Sequence, residues 1–213
     1  MLSKQREPFF TTRKLTTVAI LSAISAVLFM LEIPMPVVSF YKLDFSNLPV
    51  LLGTYAMGPL AGVAVLLIKA LLGLLHSSSM GVGELADFIM GIAMLLPAGL
   101  VYSFNKTRKG AIIGLVAGTV VATITAVFVN MYIMIPFFSN AFGIPVEVIV
   151  GMGQKLIPIV DDLWKFVLLI TAPFNLLKWI VISVVFALMY KPLSPLLHGR
   201  NAKKKETPVE TKG

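Results

Sequence analysis

Hydrophobic residues in this chain run in long, nearly unbroken stretches, separated by short polar, proline-rich or glycine-rich breaks. Runs approaching 20 apolar residues point to helices that cross a bilayer rather than to amphipathic surface helices. The first run, Leu15–Leu31, ends at Glu32-Ile33-Pro34-Met35-Pro36. A loop, Val37–Ser46, precedes a short second helix over Asn47–Met57, and Gly58-Pro59 opens a third that reaches Leu75. The polar stretch His76–Gly83 leads to a fourth helix, Glu84–Phe104, and the basic turn Asn105–Lys109 to a fifth, Gly110–Phe138. Asn140–Asp162 contains Pro145 and Pro158 and reads as a short outer helix plus loop. A sixth helix occupies Val167–Tyr190, with Pro173 as a kink or a start. The predicted fold class is an all-α integral membrane protein of six transmembrane helices.

Composition agrees: 57% of the 213 residues are hydrophobic and only 13% charged, against about a quarter charged in soluble domains. Residues 15–190 form the membrane domain, flanked by a basic N-terminus, 1–14, and a basic tail, 191–213. The basic start before an apolar run resembles a signal peptide. That run is too long for one, and no A-x-A site directly follows it, so it reads as a retained first helix. With no cysteine, disulfides, thiolate metal sites and cysteine nucleophiles are excluded.

The net charge of +8 changes the picture only through its distribution. Basic residues gather at Lys4–Lys14, at Lys106, Arg108 and Lys109, and from Lys191 to Lys205, whereas most acids lie in other loops. Lysine and arginine flanking apolar helices mark cytoplasmic loops. Both termini are therefore expected in the cytoplasm, and nucleic acid is not an expected partner. On this topology Lys178 lies about 20 Å from the inner end of its helix at 1.5 Å per residue. Lys69, Asn130, Glu84 and Asp87 fall in the outer half too, the arrangement of a pocket loaded from outside.

Candidate chemistry follows from polar residues placed where they are expensive. Asn175 and Lys178 stand three apart in the last apolar run, so they lie on neighbouring helix faces and can grip one object. An intramembrane charge usually faces a cavity, a partner or a substrate; the plainer reading of Lys178 is a lysine snorkelling to the interface. Asn130 is either a ligand contact or an interhelical hydrogen bond. Glu84 and Asp87 suit either proton chemistry or the start of a helix, where carboxylates cap and meet the positive dipole end. The loop Phe40–Pro49, with Tyr41, Lys42, Leu43, Asp44 and Phe45 at its centre, reads as a lid over a planar ligand or as an aromatic belt with Asp44 capping the next helix. Ala19/Ala23 and Ser22/Ala26 form small-x-x-x-small pairs on the first helix, suited to close helix contact with another subunit or within this chain. No P-loop, H-E-x-x-H or G-x-S-x-G motif occurs, so neither ATP hydrolysis nor another catalytic constellation is expected, and no metal site.

Ala172–Lys178, Tyr41–Pro49, Gly83–Phe88 and Asn130-Met131-Tyr132, taken with the helix layout, resemble the substrate-binding S components of energy-coupling factor vitamin transporters, in particular the riboflavin-specific type. The resemblance spans Leu15–Tyr190. It implies a non-enzymatic bacterial plasma-membrane subunit that binds riboflavin near its outer face. Uptake would be driven by a transmembrane coupling subunit and two cytoplasmic ATPases. It further implies that Asn130, Asn175 and Lys178 hydrogen-bond the ligand, that the Tyr41–Phe45 loop covers it, and that Glu84 and Asp87 contribute. The small face of helix one, Ala19 and Ala23 with Ser22 and Ala26, would meet the coupling subunit. Riboflavin is then cargo rather than cofactor. FMN is a second candidate ligand, because Lys178 can attract a phosphate. The competing functions are a stand-alone proton-coupled carrier titrating Glu84, Asp87 or Lys178, and a membrane enzyme or its scaffold. No internal repeat of the kind such carriers use is apparent.

Overall fold

A computed structural model describes residues 11–38 and 40–198, with side chains to residue 189. Most of the basic N-terminus and the Arg200–Lys205 part of the tail lie outside the described residues. The elements are α1 (Thr12–Met30), β1 (Ile33–Pro34), β2 (Lys42–Leu43), α2 (Asn47–Met57), α3 (Pro59–Gly73), α4 (Val82–Phe104), α5 (Arg108–Val129), α6 (Ile135–Phe142), α7 (Val146–Gln154), α8 (Leu163–Phe166) and α9 (Ala172–His198).

Five helical stretches have the length and apolar character to cross a membrane: Thr12–Met30, Pro59–His76, Val82–Phe104, Arg108–Phe142 and Leu163–Met189. The expected sixth, α2, has 11 residues, about 16 Å of helix against a hydrocarbon core of about 30 Å. It does not by itself reach across. Residues 47–51 and 53–55 are all buried, so α2 is a helix packed inside the bundle rather than one exposed to lipid. The loop after α1 also departs from an all-α fold. Ile33 pairs with Leu43 and Pro34 with Lys42 in an antiparallel ribbon of two residues a side. Pro34 and Pro36 cannot donate to a ladder, which keeps such a ribbon short.

The fifth and last spans are each interrupted by a π-helical turn, Asn130–Met134 and Val167–Thr171, and the two turns pack against one another. Each is followed two residues later by a proline, Pro136 or Pro173. A proline ring clashes with the carbonyl four residues back, here at Tyr132 and Leu169, inside the widened turns. The π turns thus let the helix pass through proline, and Pro173 neither begins nor ends a helix. Elsewhere α5 lies tightly on α4. A Cβ on Gly118 would stand 2.4 Å from the Met94 carbonyl oxygen, and one on Gly114 2.6 Å from that of Ala98.

Three apolar clusters hold the bundle. Leu51, Met94, Ala122, Trp179 and Phe186 join α2, α4, α5 and α9, while Val18, Val65, Leu66 and Leu95 join α1, α3 and α4. The third, with Val38, Tyr41, Ile135, Ile149 and Phe166, roofs the end of the bundle far from the Asn105–Lys109 turn.

Candidate functional site

Beneath that roof lies a cavity of about 720 Å³, within the usual range for small-molecule sites. Its walls are aromatic and thioether: Phe40, Tyr41, Phe138, Phe174, Met90 and Met134. Tyr41 stacks on Phe174 with ring centroids 5.3 Å apart and planes 14° from parallel. Phe40 lies 5.3 Å from Phe138. The Tyr41 hydroxyl is hydrogen-bonded to Thr171 Oγ1, at the end of the second π turn, so loop and helix meet at the cavity wall.

The floor is ionic. Lys69 of α3 pairs with Asp87 of α4 and donates to Ser46 Oγ at 3.0 Å and Asn47 Oδ1 at 3.2 Å. Lys178 of α9 donates to Asp44 at 2.9 Å and lies 3.6 Å from Asp87. Asn47 Nδ2 closes the cluster on Asp87 Oδ1 at 3.2 Å. Two ammonium groups thus face two carboxylates, all four buried. That balance is required, because a buried charge without a partner is far more costly than a pair. Asp44, in the loop ahead of α2, shows the outcome. Burial would push its carboxyl up, but Lys178 and then Lys69 more than offset this and lower it from 3.8 to about 2. Asp44 also accepts from the Ser46 backbone N–H at 2.9 Å, which turns the chain into α2.

The polar residues singled out in the sequence fall into distinct places. Asn130, Asn175, Lys178, Asp44, Asp87, Glu84, Tyr41 and Lys42 all border the cavity. Leu43 sits half-buried in β2, and Phe45 packs into the apolar core below. Asn130 donates to the Ala126 carbonyl at 2.8 Å, leaving its Oδ1 buried with no partner. Asn175 donates in the same way to the Thr171 carbonyl at 3.0 Å. Neither amide bridges to another helix through these bonds. Glu84 does not cap α4; its Oε2 accepts from Ser77 and Ser79 hydroxyls at 2.8 and 3.0 Å. Lys178 does not snorkel, being held by carboxylates inside the protein. On α1, Ala19 and Ala23 are exposed, whereas Ser22 is buried and bonded to the Val18 carbonyl, and Ala26 is half-buried. The two small-residue pairs therefore lie on different faces.

Sequence reading located Lys69 only by depth, took Phe40, Ser46 and Asn47 only as members of the lid loop, and did not single out the Phe138 and Phe174 walls. A signal for Lys69 existed: it is a lone ammonium in an apolar run, as Lys178 is. The two helical phenylalanines carried none, because a phenylalanine in a membrane helix is ordinary. Among the described residues no cluster of three or more metal-ligating side chains occurs.

Comparison with known proteins bears on all of this at once. The model of the family "ECF transporter, substrate-specific component" matches residues 13–190. A riboflavin transporter, RibU, of Staphylococcus aureus is 37% identical over 87% of this chain and 92% of its own. The riboflavin transporter FmnP of Bacillus subtilis is 33% identical over 86% of this chain and 93% of its own. A solved S component of a bacterial ECF transporter superposes with a TM-score of 0.69 at 35% identity, covering 88% of this chain and 98% of that one. A cavity floored by buried charges, a set of membrane-length helices and a match over most of the sequence converge: the chain belongs to the substrate-specific components of ECF transporters, multi-pass proteins of the bacterial cell membrane.

Proposed function

We propose that this subunit binds riboflavin in the cavity at the outer end of the bundle and hands it inward when partner subunits hydrolyse ATP. The observation that carries this reading is the pairing of a flat aromatic wall with unspent hydrogen-bonding capacity. Riboflavin presents a planar ring whose polar edge alternates carbonyl, N–H and carbonyl. Asn130 Oδ1 lacks a donor, and Asn175 spends one amide hydrogen on the Thr171 carbonyl, leaving its second. Lys178 has three N–H groups, of which one donates to Asp44 at 2.9 Å. Asn130, Asn175 and Lys178 are accordingly assigned to the ring edge. The Tyr41 loop is assigned to the cover, and Glu84 and Asp87 to the remaining polar wall. The riboflavin-transporter relatives support the ligand, and the family supports a transmembrane coupling subunit and two ATPases as partners. The basic flanks favour a cytoplasmic position for both termini, which requires the loop ahead of α2 together with α2 to supply a sixth crossing. Ala19 and Ala23, exposed on α1, are the docking candidates, although Ala23 also borders the cavity beside Ala26; Ser22 is buried inside. The proton-coupled carrier is the weaker reading, because two of its three titrating candidates, Asp87 and Lys178, are locked in a charge-balanced cluster, which leaves Glu84 alone for that role.

The test is the absorption spectrum and fluorescence titration of purified protein. A retained flavin band, displaced by excess riboflavin, is expected, with affinity reduced at least tenfold in Lys178→Ala and Asn175→Ala. A colourless protein that fails to quench added riboflavin rejects the ligand. Unchanged affinity in both variants rejects the assigned site.

A further inference from the structure

The ammonium group of Lys69 is spent entirely inside the protein. Its side chain is 1% exposed and does not border the cavity. An ammonium has three donors, and here three acceptors take them: Asp87 Oδ2, Ser46 Oγ and Asn47 Oδ1. No N–H remains for a ligand. Replacing a buried ion pair by apolar side chains of similar volume is often neutral or stabilising, so stability alone is a weak reason for a lysine at this depth in an apolar helix. Its geometry supplies another. Asp87 divides its carboxylate between Lys69, on Oδ2, and Lys178, 3.6 Å from Oδ1. Asp44, which accepts from Lys178, is reached from Lys69 through Ser46, whose hydroxyl accepts from Lys69 and donates to Asp44 Oδ1. One ammonium behind the wall thus grips both carboxylates that face Lys178.

From this arrangement we propose that Lys69 is a positioning residue for the ligand, acting through Lys178 without touching the flavin. The inference rests on the flavin reading, which assigns the free N–H groups of Lys178 to the ring edge. With Lys69 in place, Lys178 donates to Asp44 while Asp87 stands off at 3.6 Å. Without it, Lys178 becomes the nearest cation to Asp87. Attraction between full opposite charges in a buried site exceeds that of an ammonium for a neutral carbonyl, so Lys178 turns from the flavin to Asp87.

The experiment combines three measurements on purified full-length protein: riboflavin titration by fluorescence quenching, the visible band of the flavin at saturation, and thermal unfolding. Lys69→Met should still unfold cooperatively but bind riboflavin about ten- to a hundredfold more weakly, the loss of one charge-assisted hydrogen bond. Its bound flavin should show the band of flavin bound to Lys178→Ala, because hydrogen bonding at the ring edge tunes that band and a loosened fold would not reproduce it. Lys69→Met/Asp87→Asn removes the charge that draws Lys178 away and keeps an acceptor on the wall, so it should recover most of the affinity and the wild-type band. Wild-type affinity in Lys69→Met overturns the proposal. So does a loss that the double variant fails to relieve, or one that leaves the band in its wild-type place. Should Lys69→Met not unfold cooperatively, Ser46→Ala, which cuts the tie from Lys69 to Asp44 and alters no charge, takes its place: a shifted band supports the proposal and an unshifted one overturns it. Riboflavin binding that ignores Lys69 defeats only this inference, whereas a wild type that binds no riboflavin defeats the flavin reading and this inference with it.

Discussion

Removing one acid from the buried cluster should harm the fold more than removing its basic partner. Asp87→Leu leaves Lys69 hydrogen-bonded only to Ser46 Oγ and Asn47 Oδ1, both neutral acceptors, with Asp44 attracting it only from farther off. Lys69→Met leaves Asp87 beside the Lys178 ammonium at 3.6 Å and under the Asn47 amide. Stranding a buried charge costs about 3–5 kcal/mol, and in a protein of this size each kcal/mol moves the melting point by about 2–4 °C. Asp87→Leu should therefore lower the apparent melting temperature by about 6–20 °C, and Lys69→Met by less than half as much. The double variant Lys69→Met/Asp87→Leu keeps the neutral Lys178–Asp44 pair and should recover most of the loss, giving a coupling of about 2 kcal/mol or more. The assay is thermal unfolding of flavin-free protein in one detergent, with all four proteins compared. Losses that simply add in the double variant would refute the reasoning, because the two side chains would then act independently.

Three further outcomes follow from other parts of the molecule. Gly118→Ala should cost about 1–3 kcal/mol, since overpacking is destabilising and its Cβ meets the Met94 backbone oxygen rather than a side chain that can yield; an unchanged melting point would show that α5 can slide. Ala19→Trp, on the exposed face of α1 and outside the cavity lining, should block co-purification with the coupling subunit while leaving riboflavin titrations unaltered; assembly that persists would move the docking face elsewhere. Asp44 has its carboxyl lowered in the folded state to about 2, so its contribution is complete above the unfolded value of 3.8 and is lost as pH falls from about 4 toward 2. Melting temperature should accordingly hold level from pH 7 to 5 and fall below 4, and a drop already complete at pH 5 would contradict that ion-pair assignment.

Much of this architecture was legible because lipid is an unforgiving solvent. Long apolar runs have few foldable alternatives to helices, so the spans and their polar breaks could be read directly, with α2 matching its expected Asn47–Met57 bounds. Charged and amide groups in such runs must meet something, which made Asn130, Asn175 and Lys178 visible as residues with a purpose. What each one meets was not legible. That Lys178 turns to Asp44, 134 positions away, depends on how the loop folds over α9. That α2 is buried inside the bundle depends on its neighbours covering it. The Lys178 ammonium, read in sequence alone, also left a phosphate-bearing ligand open. Only the tertiary arrangement places Asp44 and Asp87 against that ammonium and sets Glu84 among serine hydroxyls. Local hydrophobicity determines where helices form, while electrostatic pairing among residues far apart in sequence is decided by packing alone.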